Sequence, residues 1–411
     1  MKKILITLFL SATCSFLSAQ SSAWTQYSTS NSSLPENLIH CFAFENDSTT
    51  WIGTEYGLAK LVNTSWTVYT TFNSGLPGNA IRCIKIDRDG SKWIGTASGG
   101  LAHFNDTTWT VTSTTNSLLP DDFVRSFVID TNQNKWIGTL GGLSKVDPVD
   151  NWVTYTMFTS VLGSNNIASL YNDTASNEIY AGQVNGGLFI AQDTLLTNYT
   201  IQNSGISDNT ILDITKEPGG TTWLASPANG LIAKLPGFGW FTYNLISSNI
   251  PSAGLTSVAL DSVGDLWMGS SDQGLIKKTG SNFTHYYTGN SSLLDDNVQV
   301  VRIAADGKIW IGTQSQGVFV LDPSLLTGVE VLSAEQTVSV YPNPAKDGFC
   351  RVMAGVPITE ITLMDLGGKT ILKQNGNADF TILHLDGISP GMYLISIATE
   401  MGIIVKKLLK L

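Results

Sequence analysis

Histidine and cysteine are the side chains that most often act as nucleophiles, proton carriers or metal ligands, and this chain has few of them. Its histidines are His40, His103, His285 and His384. The repeat described below places the first three on different strands of their units, so they are not expected to converge on one metal ion. The sequence also contains no Gly-x-Ser-x-Gly elbow and no phosphate-binding glycine loop. We therefore identify no catalytic residues and predict no resident metal or cofactor.

Three cysteines follow the N-terminal segment, at Cys41, Cys83 and Cys350. Cys41 and Cys83 occupy the same position of neighbouring repeat units, ten residues before a tryptophan. Packed sheets lie about 10 Å apart, whereas a disulfide needs α-carbons within about 7 Å. We expect buried thiols at these two positions rather than a disulfide.

Asparagine or aspartate stands just before the first strand in six of the seven repeat units. The positions are Asn37, Asn79, Asp122, Asn165, Asn209 and Asp296, with Ala253 as the exception. In the predicted fold these residues lie where loops gather around a central channel. Two interpretations are open: the side chains bond the backbone of their own turns, or they form a polar ring that binds a divalent cation or sugar hydroxyls at the channel mouth.

The loops between the second and third strands differ most between units and share the same face of the predicted fold. Their polar and aromatic residues are the candidate ligand contacts: Glu55, Tyr56, Gln183, Asn185, Asn229, Asp272, Gln273 and Gln316. Drift of the repeat without function is the alternative explanation. The chain has no tryptophan outside the repeat positions, which leaves Tyr56 as the obvious aromatic side chain for stacking on a sugar.

The element that positions all these residues is a repeat of about 43 residues. The phrase WIGT and its variants place an aromatic residue at regular intervals of 42 to 44 residues, at Trp51, Trp93, Trp136, Tyr180, Trp223, Trp267 and Trp310. Within each period, four short apolar or β-branched segments alternate with Asp, Gly and Asn turns. Four strands per period of this length are typical of a β-propeller blade.

The ends of the repeat array complement each other. The last unit lacks a fourth strand, while the segment AWTQYS at 23–28 has the sequence of a fourth strand with no unit of its own. Pairing them would complete seven blades and cover both open edges. We therefore predict an all-β fold: a seven-bladed β-propeller over residues 20–323, closed by the N-terminal strand in the last blade.

The repeat also resembles a known family. DRDGSKWIGTASGGLAHF at 87–104 and its copies are similar to the two-component-regulator propeller repeats. The resemblance implies an extracytoplasmic domain like the sensors of bacterial hybrid histidine kinases. No kinase and no apolar stretch of 18 residues follow in this sequence, so signalling by this chain alone and a transmembrane span are not expected.

A linker at 324–335 precedes residues 336–411, which lack the repeat. Their short segments of alternating apolar and polar residues predict strands of a small Ig-like β-sandwich. This segment resembles the C-terminal sorting domain of the type IX secretion system of Bacteroidota, and an Ig-like adhesion module is the alternative. The resemblance rests on Tyr341, Pro342, Asn343, Pro344, the 366–369 turn, Pro390, Gly391, Tyr393, Lys406 and Lys407. It implies contact with the type IX machinery, export across both membranes, and release or attachment at the cell surface.

The N-terminus and the overall charge agree with export. Residues 1–19 have the charged, apolar and small-residue regions of a secretory signal peptide. The formal net charge is −10, and lysine and arginine do not cluster along the sequence before its extreme C-terminus, so nucleic acid is not an expected partner. We predict a protein that is secreted or held at the outer-membrane surface.

Three functions fit these observations. The leading hypothesis is a binding or interaction module for a glycan or a protein ligand. A propeller-type lyase acting on a polysaccharide or a cyclic ester is the second, and it would need a base such as His, Tyr or Lys in the channel. A structural surface component is the third.

Overall fold

The structure is a computed structural model that describes residues 23–192, 194–326 and 338–411, the last range without residues 342, 347, 355–356, 366–368, 377–379 and 400–401. The chain divides into two compact units at residue 326. The predicted signal peptide, most of the linker, Pro342 and most of the 366–369 turn lie outside the described residues. Among the described residues, the only helix is a short 3-10 turn, Pro323–Leu325.

The first unit contains seven four-stranded antiparallel sheets among its described residues. Sheets 1 to 3 are β2 (Ile39–Asn46), β3 (Thr49–Thr54), β4 (Leu58–Val62), β5 (Ser65–Tyr69); β6 (Ile81–Ile86), β7 (Lys92–Thr96), β8 (Leu101–Phe104), β9 (Trp109–Thr112); and β10 (Val124–Ile129), β11 (Lys135–Thr139), β12 (Leu143–Val146), β13 (Trp152–Tyr155). Sheets 4 to 6 are β14 (Ile167–Asp173), β15 (Glu178–Gln183), β16 (Leu188–Gln192), β17 (Leu195–Tyr199); β18 (Asp213–Lys216), β19 (Thr222–Ser226), β20 (Gly230–Leu235), β21 (Gly239–Tyr243); and β22 (Leu255–Leu260), β23 (Leu266–Ser270), β24 (Leu275–Thr279), β25 (Asn282–Tyr286).

Sheet 7 joins the two ends of this unit. It contains β26 (Val298–Ile303), β27 (Ile309–Thr313), β28 (Val318–Leu321) and, on its outer edge, β1 (Trp24–Tyr27). β1 pairs antiparallel with β28 over four residues, from Trp24 opposite Leu321 to Tyr27 opposite Val318. The first strand of the chain therefore completes the sheet of the last repeat.

Apolar clusters fill the spaces between consecutive sheets, and one of them lies between sheet 7 and sheet 1. That cluster contains Ile39 and Ile52 from sheet 1, and Val300, Trp310 and Val320 from sheet 7. The second strands are buried almost throughout, while the fourth strands are half-exposed. Burial of the WIGT strands between neighbouring sheets explains why these strands read as continuous apolar runs.

The glycine of WIGT allows the close approach of the sheets. A Cβ built on Gly138 would lie 2.6 Å from Ile167, the first residue of the next sheet, and one on Gly312 would lie 2.6 Å from Ile39. The second contact links sheet 7 to sheet 1, as the apolar cluster does. At these two points the neighbouring sheets are so close that any side chain larger than the hydrogen of glycine would displace one of them.

The second unit has two antiparallel sheets among its described residues. One contains β29 (Val338–Tyr341), β30 (Phe349–Ala354) and β33 (Phe380–His384); the other contains β31 (Ile358–Met364), β32 (Thr370–Asn375), β34 (Gly391–Thr399) and β35 (Gly402–Lys410). Buried side chains from both sheets form one core, with Cys350 and Val352 from the first and Ile361 and Ile395 from the second.

Candidate functional site

The first strands of the seven sheets line one cavity of about 430 Å³, which we call the central channel. Six of these strands carry a β-bulge directly after their first residue, which leaves one extra residue out of the pairing with the second strand. The extra residues line the channel: His40, Arg82, Arg125, Ala168, Thr256 and Gln299. A bulge re-aims the side chain it carries. The repeat thus presents one variable position to the channel in six of the seven sheets.

The channel is strongly cationic although the chain as a whole is acidic. The lining of this cavity includes Arg82, Lys85, Arg125 and Arg302 and one carboxylate, Asp213. An adjoining cavity shares Lys85, Asp213 and Arg302 and adds Arg88, Asp87 and Asp130. This cluster does not appear as a basic run in the sequence, because its cations are far apart along the chain. The signal was available in the repeat, since His40, Arg82 and Arg125 occupy one position of three consecutive units.

Glu55 joins the channel from the loop between β3 and β4. Its Oε2 lies 2.8 Å from His40 Nε2 and 3.0 Å from Arg82 Nη2, and His40 also contacts Arg82. Desolvation, and then the charge of Arg82, lower the pKa of His40 below its ordinary value. At neutral pH the three residues are a neutral imidazole beside an ion pair.

Arg302 has its own carboxylate on the other side of the channel. Its Nη1 donates to Asp213 Oδ2 at 2.8 Å, and the same oxygen accepts from Ser257 Oγ at 2.7 Å. Asp213 also accepts from the backbone N–H of Val258 at 3.1 Å. This network links the first strands of sheets 5, 6 and 7 and compensates the charge of Arg302.

Arg125 and Lys85 have no carboxylate within ion-pair distance among the described residues. Arg125 Nη1 donates to the neutral amide oxygen of Asn166 at 2.8 Å. Desolvation, and then the like charge of Arg82, hold the pKa of Arg125 below its ordinary value. Lys85 is exposed to solvent. The surrounding channel walls nevertheless desolvate its ammonium group, which lowers the pKa of Lys85. Arg125 therefore carries a charge that no carboxylate of the described residues pairs with, while Asp87 acts on Lys85 from beyond ion-pair distance.

The predicted ligand contacts divide into exposed and internally bonded residues. Tyr56, Asn185 and Asp272 are exposed on their loops. Tyr56 is the one aromatic residue of the predicted set, and it is 62% exposed. Asp272 nevertheless accepts from Ser252 Oγ at 2.5 Å. Asn185 accepts from Thr210 Oγ1 at 3.3 Å and has the left-handed φ of 60°.

The other predicted contacts take part in turn structure. Gln183 is fully buried and binds Ser164 N–H and Asn198, so it has no exposed atom for a ligand. Asn229 donates to the carbonyl of Ser207. The backbone N–H groups of Gln273 and Gln316 donate to hydroxyls of their own turns. Glu55 is the member of the set that contacts channel-lining side chains.

The ring of asparagine and aspartate residues has a structural role. In each of the six units the side-chain Oδ1 accepts a bond of 2.7–2.9 Å from the backbone N–H eight residues earlier, in the loop that enters the unit. The acceptors are Asn37, Asn79, Asp122, Asn165, Asn209 and Asp296. These bonds support the turn interpretation over the ligand ring.

The histidines and cysteines lie as the repeat predicts. His103 stacks on Trp93 and His285 on Tyr287, both away from His40. Cys41 and Cys83 are free thiols, and desolvation raises the pKa of both, that of Cys83 to about 12. Among the described residues no group of three or more His, Cys, Asp or Glu could hold a metal ion.

The sorting-signal residues of the second unit organise its last strand. Asn343 donates to the carbonyl of Lys407 at 2.8 Å and accepts from Leu409 N–H at 3.0 Å. Gly391 begins β34, and Tyr393 OH donates to the carbonyl of Ser389 at 2.7 Å. Tyr341, Pro344 and Pro390 are exposed, and Lys406 lies on β35.

Comparison with known families decides the nature of this unit, because residues 339–410 match the family described as secretion system C-terminal sorting domain. The tail is a type IX sorting domain. It implies secretion to the cell surface. In the part of the chain that the structure describes, no helix has the length and apolar character needed to cross a membrane.

Solved structures share the fold of the chain. The extracellular domain of BT3049, assigned to a hybrid two-component system of B. thetaiotaomicron, is 19% identical with a TM-score of 0.67, over 94% of this chain and 57% of that one. PorZ, a surface component of the type IX secretion system of Porphyromonas gingivalis, is 14% identical with a TM-score of 0.56, over 91% of this chain and 59% of PorZ.

A WD40 β-propeller domain, that of Doa1, also matches, with a TM-score of 0.52, 10% identity and coverage of 70% of this chain and 93% of that domain. At these identities the likeness is one of fold alone, and the chain spans a little over half the length of the first two structures. No curated protein matches the chain in sequence. The fold is all-β and propeller-like, as the repeat predicts.

Proposed function

We propose that residues 23–326 form a closed seven-bladed β-propeller and that the sorting domain is an Ig-like sandwich. Seven four-stranded sheets, the pairing of β1 with β28 and the apolar cluster between sheets 7 and 1 support the closed ring. Two facing sheets around one core support the sandwich. Residues 1–19 would then be the signal peptide that starts export through the inner membrane.

We further propose that this propeller is a surface-exposed binding module for a glycan or a protein ligand. One observation carries the proposal: Tyr56 is exposed on a loop whose neighbouring residue, Glu55, contacts Arg82 in the channel. Ligand sites combine aromatic side chains with a small number of placed polar groups, and an exposed ring such as that of Tyr56 can stack on a sugar. Asn185, Asp272 and Gln316 extend the proposed surface along the loops of other sheets.

A thermal-shift screen of the full chain against neutral and acidic oligosaccharides tests the binding proposal. A ligand at 100 times its dissociation constant stabilises the folded protein by about 2.7 kcal/mol, which raises the melting temperature by several degrees. We expect a hit that Tyr56→Ala weakens, whereas Phe72→Ala, which changes an exposed aromatic residue of a different loop, leaves it unchanged. Absence of any shift would oppose a glycan ligand and favour a protein partner or a structural surface role.

A lyase is the second candidate, and the contact between His40 and Glu55 favours it. A neutral imidazole next to a carboxylate is an arrangement that can accept a proton, and arginines stabilise the charge that develops on an acidic sugar. Incubation with acidic polysaccharides, followed by ultraviolet absorbance of unsaturated products, tests this. Product formation that His40→Gln abolishes would establish the lyase, while absence of product leaves binding as the function.

A further inference from the structure

Two arginines of the channel lie next to each other in the repeat, one paired with Glu55 and one without a carboxylate partner among the described residues. Arg82 and Arg125 are the bulged residues of consecutive first strands, β6 and β10. The Arg82 guanidinium lies 5.4 Å from the ring of Phe123, directly before β10. Arg82 is held from sheet 1 by Glu55, and Arg125 from the sheet 4 side by Asn166. Both guanidinium groups are thus fixed in place although their charges repel.

Among the described residues, two donors of channel-lining residues lack partners, one on β6 in sheet 2 and one on β14 in sheet 4. Arg82 Nε and Ser169 Oγ are buried without a hydrogen bond, and both residues line the channel. A buried donor without an acceptor is unfavourable. Guanidinium groups match the geometry of oxyanions by paired N–H donors.

The charges indicate which anion fits. Arg82 and Arg125 contribute two positive charges and Glu55 one negative charge, His40 is neutral at pH 7, and Lys85 adds positive charge to the same cavity. The net positive charge favours an anionic ligand. Charge alone does not separate a carboxylate from phosphate, but only a saccharide has a ring that could contact Tyr56.

We infer that Arg82 and Arg125 bind the carboxylate or sulfate ester of an acidic saccharide that enters the central channel. The inference rests on the proposed binding function and names its ligand class. The saccharide ring would then lie toward Tyr56, since Glu55 connects that loop to Arg82. Thr256 and Gln299, the bulged residues across the channel, are neutral, so the anionic group belongs on the side of sheets 2 and 3.

Calorimetric titration of the full chain tests the inference, with glucuronate, a short uronic acid oligomer, glucose and inorganic phosphate at constant ionic strength. We expect saturable binding of the acidic saccharides, with glucose and phosphate at least about tenfold weaker. Arg82→Gln and Arg125→Gln should each weaken that binding at least about tenfold, because each removes a charged hydrogen bond. Arg125→Lys keeps the positive charge but loses the paired N–H donors of the guanidinium group. Its affinity for the acidic saccharides should lie between that of the wild type and that of Arg125→Gln.

The matched control is Arg351→Gln, the same change of residue and charge at an exposed position of the sorting domain. It should bind like the wild type, and near-ultraviolet circular dichroism should show that all variants are folded. Failure of every acidic saccharide to bind, or equal binding by Arg125→Gln, would overturn the inference. Equal affinity for phosphate would assign the site to free anions and overturn the saccharide class. If acidic saccharides fail to bind but neutral oligosaccharides bind and Tyr56→Ala weakens their binding, the proposed binding function stands and the acidic ligand class is wrong.

Discussion

Five of the six second-strand tryptophans show how single residues stabilise the repeat. Asp130 accepts from the indole N–H of Trp136 at 3.0 Å and from the side chain of Asn134 at 2.7 Å. An acidic residue six positions before the tryptophan makes the same bond in four other sheets, at Glu45, Asp87, Glu217 and Asp261. A buried indole needs this acceptor, so the acid and the tryptophan form one structural pair.

Asp130→Ala should therefore destabilise the protein. Asp147 is a matched control, because it accepts the same backbone and asparagine bonds in an exposed turn but has no indole partner. We expect Asp130→Ala to lower the free energy of unfolding by about 1–3 kcal/mol more than Asp147→Ala, since a buried donor loses its acceptor. Urea titration measures the difference, and equal effects of the two variants would contradict the account.

His40 predicts a pH dependence of stability. Its pKa is lower in the folded state than in the unfolded chain, where it is about 6.5. The unfolded chain therefore binds more protons as the pH falls below 6.5, and stability decreases. His40→Gln should reduce the loss of melting temperature between pH 7 and pH 5.5 and leave the slope above pH 7.5 unchanged. His103 and His285 have lowered pKa values too, so part of the slope should remain.

At the scale of elements, the glycine of WIGT sets the distance between neighbouring sheets. Gly138→Ala places a Cβ 2.6 Å from Ile167 and should cost about 1–3 kcal/mol through displacement of the sheets. Gly219→Ala is the control, because open space surrounds Gly219. It should leave stability unchanged or raise it by about 0.4–1 kcal/mol. Thermal unfolding compares them, and an unaffected Gly138→Ala protein would show that the sheets are not in tight contact.

The strands were predictable from the sequence because each repeat contains apolar runs of strand length separated by turn residues. The bulge in the first strand was not, since the bulged position is His40, Arg82, Arg125, Ala168, Thr256 or Gln299 and so has no residue type of its own. Gln183 misled the prediction for the converse reason. Gln183 replaces the threonine of WIGT, and its side chain makes hydrogen bonds within the turn. The different residue at this position therefore keeps the turn intact and does not mark a ligand contact.

At the scale of the whole molecule, β1 links the ends of the first unit. Deletion of residues 23–28 should expose β28 as an open edge and remove Trp24 from the core it shares with Trp267 and Phe319. Exposed edges pair with other chains. We expect lower thermal stability and oligomers in size-exclusion chromatography, whereas deletion of residues 1–22 alone should give the wild-type profile. A stable monomer without β1 would contradict the closed ring.

A closed propeller that binds an acidic saccharide through Arg82 and Arg125 should form a defined complex. An experimental structure of the full chain with a uronic acid oligomer would show it. We expect seven sheets, β1 paired with β28, and a carboxylate bonded to both guanidinium groups, with a sugar ring toward Tyr56. A saturated complex in which the ligand lies elsewhere and the channel holds only water would contradict this expectation.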